Sequence, residues 1–273
     1  MIIRKQLSSA LWNRMIHNSE ELSALQLKQD AVIFAPHQDD ETLGCGGTII
    51  KKRHAGADVY IIFTTDGRHS HDQIMPQKEL AALRREEAVA AAKVLGVSEE
   101  NIDFLRYEDG RLQSHSAAAR DKIVNLLTEI KPAEVFVPYQ YDGPADHEAT
   151  RQIVLDALDE VRNNVKVYEY PVWFWHNWPW VSVPFNNKSE TKQIVLNSLS
   201  ARFGVRMVRE FHQSVFIGDV LDQKRSALSK HQSQMTRLKA DPRSLTLQDV
   251  SNGEWVVLFF QDYELFHSYS LQY

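Results

Sequence analysis

The stretch Ala31–Gly47, AVIFAPHQDDETLGCGG, decides how the rest of the chain is read. Its first four residues, Ala31 to Phe34, are apolar and predict a buried strand. Its end, Leu43-Gly44-Cys45-Gly46-Gly47, predicts the opening of a helix. The turn between them carries His37, Asp39, Asp40 and Glu41, four side chains able to bind a metal or carry a proton. Open α/β sheets place their active sites there, outside the carboxyl ends of the strands. In such a turn His37 and Asp40 can face one metal while Asp39 faces a water on it, which suits a hydrolase.

Working outward, the pattern alternates. Residues 6–28 predict an N-terminal helix, Ala31–Ala35 a strand and Thr48–His54 the helix after it. Val59–Thr64 predicts a strand ending at Asp66-Gly67, and Lys78–Leu95 an Ala-rich helix with Gly96 as its C-cap. Ile102–Tyr107 is a third strand. Ile123, Val124, Leu126, Leu127 and Ile130 mark a helix face, Val135–Pro138 a fourth strand, and Ile153 to Val161 another helix. Strands alternating with helices imply βαβ units. The expected fold is α/β: a Rossmann-like three-layer sandwich with a mostly parallel sheet, an N-terminal helical extension and a C-terminal extension. Beyond residue 165 the pattern loosens, with Val165–Tyr170 a strand, Leu221–Leu238 a helix and Trp255–Phe260 a late strand. One domain over 1–273 is expected, its metal-site half at 30–165 and its substrate-site elaboration at 166–273.

Composition narrows the class. With 43% hydrophobic and 25% charged residues the chain reads as an ordinary globular protein. A formal charge of −5 argues against a nucleic-acid surface. The single cysteine, Cys45, rules out an internal disulfide and fits a reducing compartment. Ser8, Ser9, Asn13, Arg14 and His17 interrupt any export-signal core, and no stretch approaches the ~20 apolar residues of a membrane span. A cytoplasmic location is expected, with peripheral membrane contact left open.

A second site-forming segment, Tyr139 to His147, follows the fourth strand. If the first and fourth strands are close in the sheet, His147 can meet His37 and Asp40. Two imidazoles and a carboxylate form a ligand set for catalytic zinc that leaves a position for water, and iron, cobalt or manganese could take the same donors. Asp39 would take the water proton and return it to the leaving nitrogen. Glu41 is expected to orient a ligand from behind or to sit at the helix start. The plainer alternative is that Asp39, Asp40 and Glu41 only cap a helix.

PHQDDETLGCGG at 36–47 resembles the signature of the LmbE/PIG-L family of zinc-dependent de-N-acetylases. Arg84 with Glu87-Ala88, Asp109-Gly110, Asp146-His147 and the late Lys224…His231-Gln232-Ser233-Gln234 extend the likeness over roughly residues 30–240. The resemblance implies His37, Asp40 and His147 as zinc ligands and Asp39 as general base. It implies Arg84 and Asp109 as partners of sugar hydroxyls, with Asp146 holding a histidine. It also implies removal of an N-acetyl group from an N-acetylglucosamine conjugate by a metal-bound water.

One position departs. Relatives carry His-x-Asp-His where this chain has Pro144-Ala145-Asp146-His147, so the histidine thought to stabilise the oxyanion is a proline. His69 and His71 are the favoured substitutes, with His176 and His231 as others. Tyr170–Trp180 holds four of the six tryptophans, and Trp178 is expected at a substrate lip. Two alternatives stay open: a non-haem Fe(II) enzyme on the same two histidines and one carboxylate, and a sugar-binding pseudoenzyme.

Overall fold

The structure, a computed structural model, describes residues 2–184 and 187–273. Ala31–Ala35 is a strand buried on both faces: Ala31, Ile33 and Ala35 point into one core while Val32 and Phe34 point into another. A strand covered on both sides reads as a continuous apolar run, which is the mark of a parallel sheet beneath two helical layers. Among the described residues eight strands form one sheet: β1 (Glu20–Glu21), β2 (Ala31–Ala35), β3 (Val59–Thr65), β4 (Ile102–Tyr107), β5 (Glu134–Pro138), β6 (Val165–Tyr170), β7 (Gln213–Phe216) and β8 (Tyr263–Leu271), in the order β1-β7-β8-β6-β5-β2-β3-β4. All neighbours are parallel except β8, which runs antiparallel to both β6 and β7.

The main helices are α1 (Ile2–Asn18), α2 (Ala24–Leu27), α3 (Asp40–Ala55), α4 (Gln77–Leu95), α5 (Ser116–Ile130), α6 (Ala145–Val161), α7 (Lys188–Ser200), α8 (Val205–Glu210), α9 (Leu221–Leu228), α10 (Gln232–Met235) and α11 (Glu254–Val257). α5 and α6 pack together over one face, burying Ile123, Leu127, Ile153 and Val154 with Val32 and Phe34. α3, α4 and α9 pack over the other. None of the described helices is long and apolar enough to cross a membrane.

The chain leaves β2 toward β3 and β4, then returns to lay β5 on the opposite side of β2. That reversal is the switch point of an open sheet, and the crevice for a ligand opens there. The turn after β2 and the turn after β5 therefore face each other, which answers the adjacency that the ligand set requires.

The glycines opening α3 are explained by close packing. A Cβ on Gly44 would fall inside the Tyr170 ring, and one on Gly47 inside the Ile217 side chain. The helix is also pinned from the far end of the chain. Glu264 of β8 accepts from the Gly47 and Thr48 N–H groups (2.8 and 2.7 Å) and pairs with the fully buried Lys224 at 2.7 Å.

Four boundaries differ from expectation. The predicted helix over 6–28 ends at Asn18; β1 then pairs with β7, and Ser23 caps α2 in a capping box with Gln26. The helix placed at Thr48–His54 begins earlier, at Asp40. The predicted helix over Leu221–Leu238 breaks into α9 and α10, because His231 leaves helical geometry (ψ 61°) with its ring turned to Glu41. Trp255–Phe260 is helical, not a strand: α11 and a short 3₁₀ turn carry it. Short apolar runs do not distinguish the two. The true late strands, β7 and β8, carry polar side chains between apolar ones and were not expected.

Adding a methyl group at Gly44 should overpack the α3–Tyr170 contact and lower the unfolding free energy by about 1–3 kcal/mol. Urea denaturation of Gly44→Ala measures this. An unchanged midpoint would show that α3 does not press on Tyr170 in solution.

Candidate metal centre

The turn after β2 is tightly tied. The His37 N–H donates to Asp40 Oδ2 (2.9 Å), and the Asp39 N–H donates to Glu41 Oε2 (2.9 Å). Asp39 sits at φ +143°, a region that residues with a side chain rarely occupy. Such strain costs of order 1–3 kcal/mol and persists only where the surroundings over-determine it. Here Thr42 and Leu43 donate back to the Asp39 carbonyl (3.0 and 2.9 Å). From α4, Arg84 donates to the Gln38 carbonyl (2.6 Å) and approaches Asp39 Oδ1 at 3.4 Å.

The ligand set expected from the sequence converges. Asp40 Oδ2 lies 3.3 Å from His37 Nδ1 and 3.3 Å from His147 Nε2. Ligand atoms of His37, Asp40 and His147 all fall within 4.8 Å of one another. The other nitrogen of His37 lies 3.3 Å from Asp109 and 3.5 Å from Asp146, so carboxylates face both edges of that ring. Asp146 meanwhile accepts from the Gly110 and Leu112 N–H groups (2.6 and 3.2 Å), locking the start of α6 to the loop after β4.

His147 tests whether a cation fits. It is fully buried, and neither ring nitrogen has a hydrogen-bond partner among the described residues. Its Nδ1 is 2.8 Å from Asp142 Oδ2, a charge contact without hydrogen-bond angles. A buried polar atom left unpaired costs about 1–3 kcal/mol. A divalent ion shared with Asp40 and His37 would satisfy Nε2, and two imidazoles with a carboxylate are donors that zinc accepts.

The charges are strongly coupled. Burial pulls the His147 imidazolium down, but Asp40 and Asp142 outweigh it and raise its pKa to about 9. His37 is likewise raised, burial opposing and Asp109, Asp146 and Asp40 prevailing. Asp40 is driven well below the usual carboxylate range: burial opposes this, and the two histidines overcome it. Asp109, against burial, is lowered to about 2, chiefly by His37. Asp39 goes the other way. Burial raises it to about 6, with Arg84 opposing and Asp40 adding to the rise. Two adjacent carboxylates thus separate into one that stays ionised and one that can exchange a proton near neutrality.

Asp39, Arg84 and Asp109 line a cavity of about 260 Å³ with His37 and Asp40. Glu41 does not reach it. That side chain is fully buried and accepts from the Asp39 N–H, the Thr42 hydroxyl (2.6 Å) and His231 Nε2 (2.9 Å). The four histidines considered as oxyanion donors are engaged elsewhere. His69 pairs with Asp72 and Glu108. His71 donates to the Leu245 carbonyl (2.7 Å), and His176 lies 3.0 Å from the Ser251 hydroxyl. His231 belongs to Glu41. Trp178 also lies off this cavity, its ring edge-on to Phe203 at 6.0 Å. Asp142 anchors the Val172, Trp173 and Phe174 N–H groups, and that turn presents Trp173 instead. Trp173 stacks on Trp255 at 4.7 Å, and both line the cavity. Gln234 and Leu247 join them. Trp255 and Leu247 had no signal in the sequence, because only the folding of distant segments onto the β2 turn brings them there.

Residues 32–158 match the family model described as GlcNAc-PI de-N-acetylase, PIG-L. A diacetylchitobiose deacetylase of Thermococcus kodakarensis is 33% identical over 127 residues, 45% of this chain and 46% of that protein, so the match spans about half of that relative's length. A probable N-acetyl-α-D-glucosaminyl L-malate deacetylase 2 of Bacillus anthracis is 26% identical over 72% of this chain and 86% of its own. Among solved structures, the N,N′-diacetylchitobiose deacetylase of Pyrococcus horikoshii superposes with a TM-score of 0.64 at 20% identity, covering 88% of this chain and 84% of that one, which establishes the shared architecture. The matched span contains the β2 turn, Arg84, Asp109 and Asp146-His147, so over residues 32–158 the chain is similar to the PIG-L/LmbE de-N-acetylases.

Proposed function

We propose that the protein removes an N-acyl group, in the first place N-acetyl, from an amino-sugar conjugate by metal-assisted hydrolysis. One observation carries the reading: His37 and Asp40 line a single cavity beside the proton-exchanging Asp39, and the buried His147 converges on them from behind. A divalent ion on these three residues, zinc or else iron, cobalt or manganese, would supply Lewis acidity to the amide carbonyl and the attacking water. Asp39 handles the proton. It accepts it as the water oxygen bonds to the acyl carbon and delivers it to the nitrogen as the C–N bond breaks, releasing acetate and the free amine. A pKa of about 6 serves both halves of this cycle at neutral pH. Arg84 holds the Asp39 backbone from the preceding carbonyl, and Asp109 faces the cavity as an acceptor for a sugar hydroxyl. The Trp173–Trp255 stack offers an apolar wall for the C–H face of a sugar ring.

A second reading, sugar binding without turnover, has Pro144 in its favour. Pro144 lines the cavity, and His69, His71, His176 and His231 are all committed away from it. Absence of one oxyanion donor costs on the order of 10²–10³ in rate. That reading gives saturable sugar binding with no acetate release.

Asp39→Asn should retain the metal and lose on the order of 10²–10⁴ of kcat, whereas His147→Ala should lose both. Acetate release from N-acetylglucosamine conjugates, with metal content measured on the same samples, checks this. Full activity in Asp39→Asn would remove Asp39 from the mechanism.

Metal uptake should also be pH-dependent. In the metal-free protein His147 keeps its proton up to a pKa of about 9, so an incoming cation must displace that proton. Affinity for zinc is therefore expected to rise with pH from neutrality to about 9. Calorimetry in buffers of different ionisation enthalpy would register the released proton. Heats independent of buffer would show that His147 does not join the ion.

A further inference from the structure

A second cavity, of about 410 Å³, adjoins the candidate catalytic one and shares two walls with it, Pro144 and Trp173. Asp142, Gly143 and His176 also line it, and α7 closes it with Ser189, Glu190, Gln193 and Asn197. Its chemistry is distinctive. It has an indole at its mouth, amides, a hydroxyl and an imidazole along its sides, two carboxylates, and no lysine or arginine among the described lining residues. Burial lowers the His176 pKa, so that ring is neutral near pH 7 and brings no positive charge. Several of these groups are already held in place. Asn197 donates to the His176 carbonyl (2.9 Å). Gln193 gives its amide N–H to Asn197 Oδ1 (2.9 Å), leaving its carbonyl oxygen without a partner among the described residues. Glu190 is fixed by the Ser251 N–H and hydroxyl (3.1 and 3.0 Å).

An anion placed here would meet the Glu190 carboxylate with no lysine or arginine on the described walls to offset it, and an unpaired charge is a strong means of rejecting a ligand. Asp142, buried against His147 and three backbone N–H groups, adds no free charge. A polyhydroxylated neutral group would meet donors, acceptors and an aromatic face. A strongly cationic cavity does exist elsewhere, lined by Arg68, Lys78, Arg85 and Arg106, but it shares no lining residue with the catalytic one. Another cavity, of about 290 Å³, also shares walls with the candidate centre (Ser70, Trp173, Gln234 and Leu247), and the one lysine or arginine among its described lining residues, Arg243, is paired with Asp241.

We propose that the group joined to the N-acetylated sugar is itself a neutral sugar, seated between Trp173 and α7, and that this cavity selects against conjugates carrying a carboxylate or phosphate there. The inference rests on the hydrolase reading and sharpens it, because the two relatives named above bear, by their names, a neutral and an acidic partner group.

The test uses the full chain loaded with zinc and three probes: N-acetylglucosamine, N,N′-diacetylchitobiose and N-acetylglucosaminyl malate. Acetate release should give a kcat/KM for the neutral disaccharide on the order of tenfold above either other probe. Gln193→Arg, on the exposed face of α7, should reverse the ratio of disaccharide to malate conjugate. Equal kcat/KM for disaccharide and monosaccharide, or a preference for the malate conjugate in the unaltered protein, would overturn the proposal while leaving the hydrolase reading intact. Release from none of the three removes the hydrolase reading for these sugars, and calorimetric affinities for the same probes then decide the cavity. Tighter binding of the neutral disaccharide upholds it, and equal binding overturns it.

Discussion

One carboxylate oxygen organises this protein. Asp40 Oδ2 accepts from the His37 backbone and lies 3.3 Å from a ring nitrogen of both His37 and His147. That geometry exists only because β5 pairs with β2 on the side opposite β3. Moving β5 to the outer edge of the sheet would carry His147 away from Asp40. The sheet's reversal of direction is therefore the condition for the site, and the burial of so many ionisable groups is its cost. Isolated buried charges are expelled or neutralised. Here each is matched to an opposite charge or held by backbone N–H groups, which turns an unfavourable cluster into a preorganised one.

The second constraint is the strained backbone at Asp39. Glu41 holds the Asp39 N–H, and His231 and Thr42 hold Glu41. His231 comes from the C-terminal half of the chain, as do Gln234 and Trp255 of the cavity wall. The same half sends Glu264 and Lys224 to anchor the opening of α3. Removing one partner of such a buried pair typically costs about 3–5 kcal/mol. The C-terminal elaboration is thus part of what fixes the turn after β2.

Much of this was legible in the sequence, for identifiable reasons. β2, β3 and β5 are short apolar runs ending in turn residues, and both His37-x-Asp39-Asp40 and Asp146-His147 follow strand ends, so their meeting could be argued from topology alone. Arg84 and Asp109 were marked only by resemblance, and both line the cavity. The aromatic wall was not legible. Trp178 is the more conspicuous residue beside Pro179, but the hydrogen bonds that Asp142 accepts from the Val172, Trp173 and Phe174 N–H groups fix the turn that presents Trp173 to the cavity. Trp255 lies in an apolar run that reads equally as strand. β8 was hidden because Glu264, His267 and Ser268 break its apolar pattern, and Glu264 is there to receive α3.

The convergence itself is open to direct measurement. X-ray absorption at the metal edge of the zinc-loaded protein reports the ligand shell without relying on turnover. The account predicts imidazole scattering from two histidines with nitrogen at about 2.0–2.1 Å and a carboxylate oxygen at a similar distance, reduced to one imidazole in His147→Ala at whatever occupancy remains. A shell of oxygens alone, or a spectrum unchanged by His147→Ala, would contradict it.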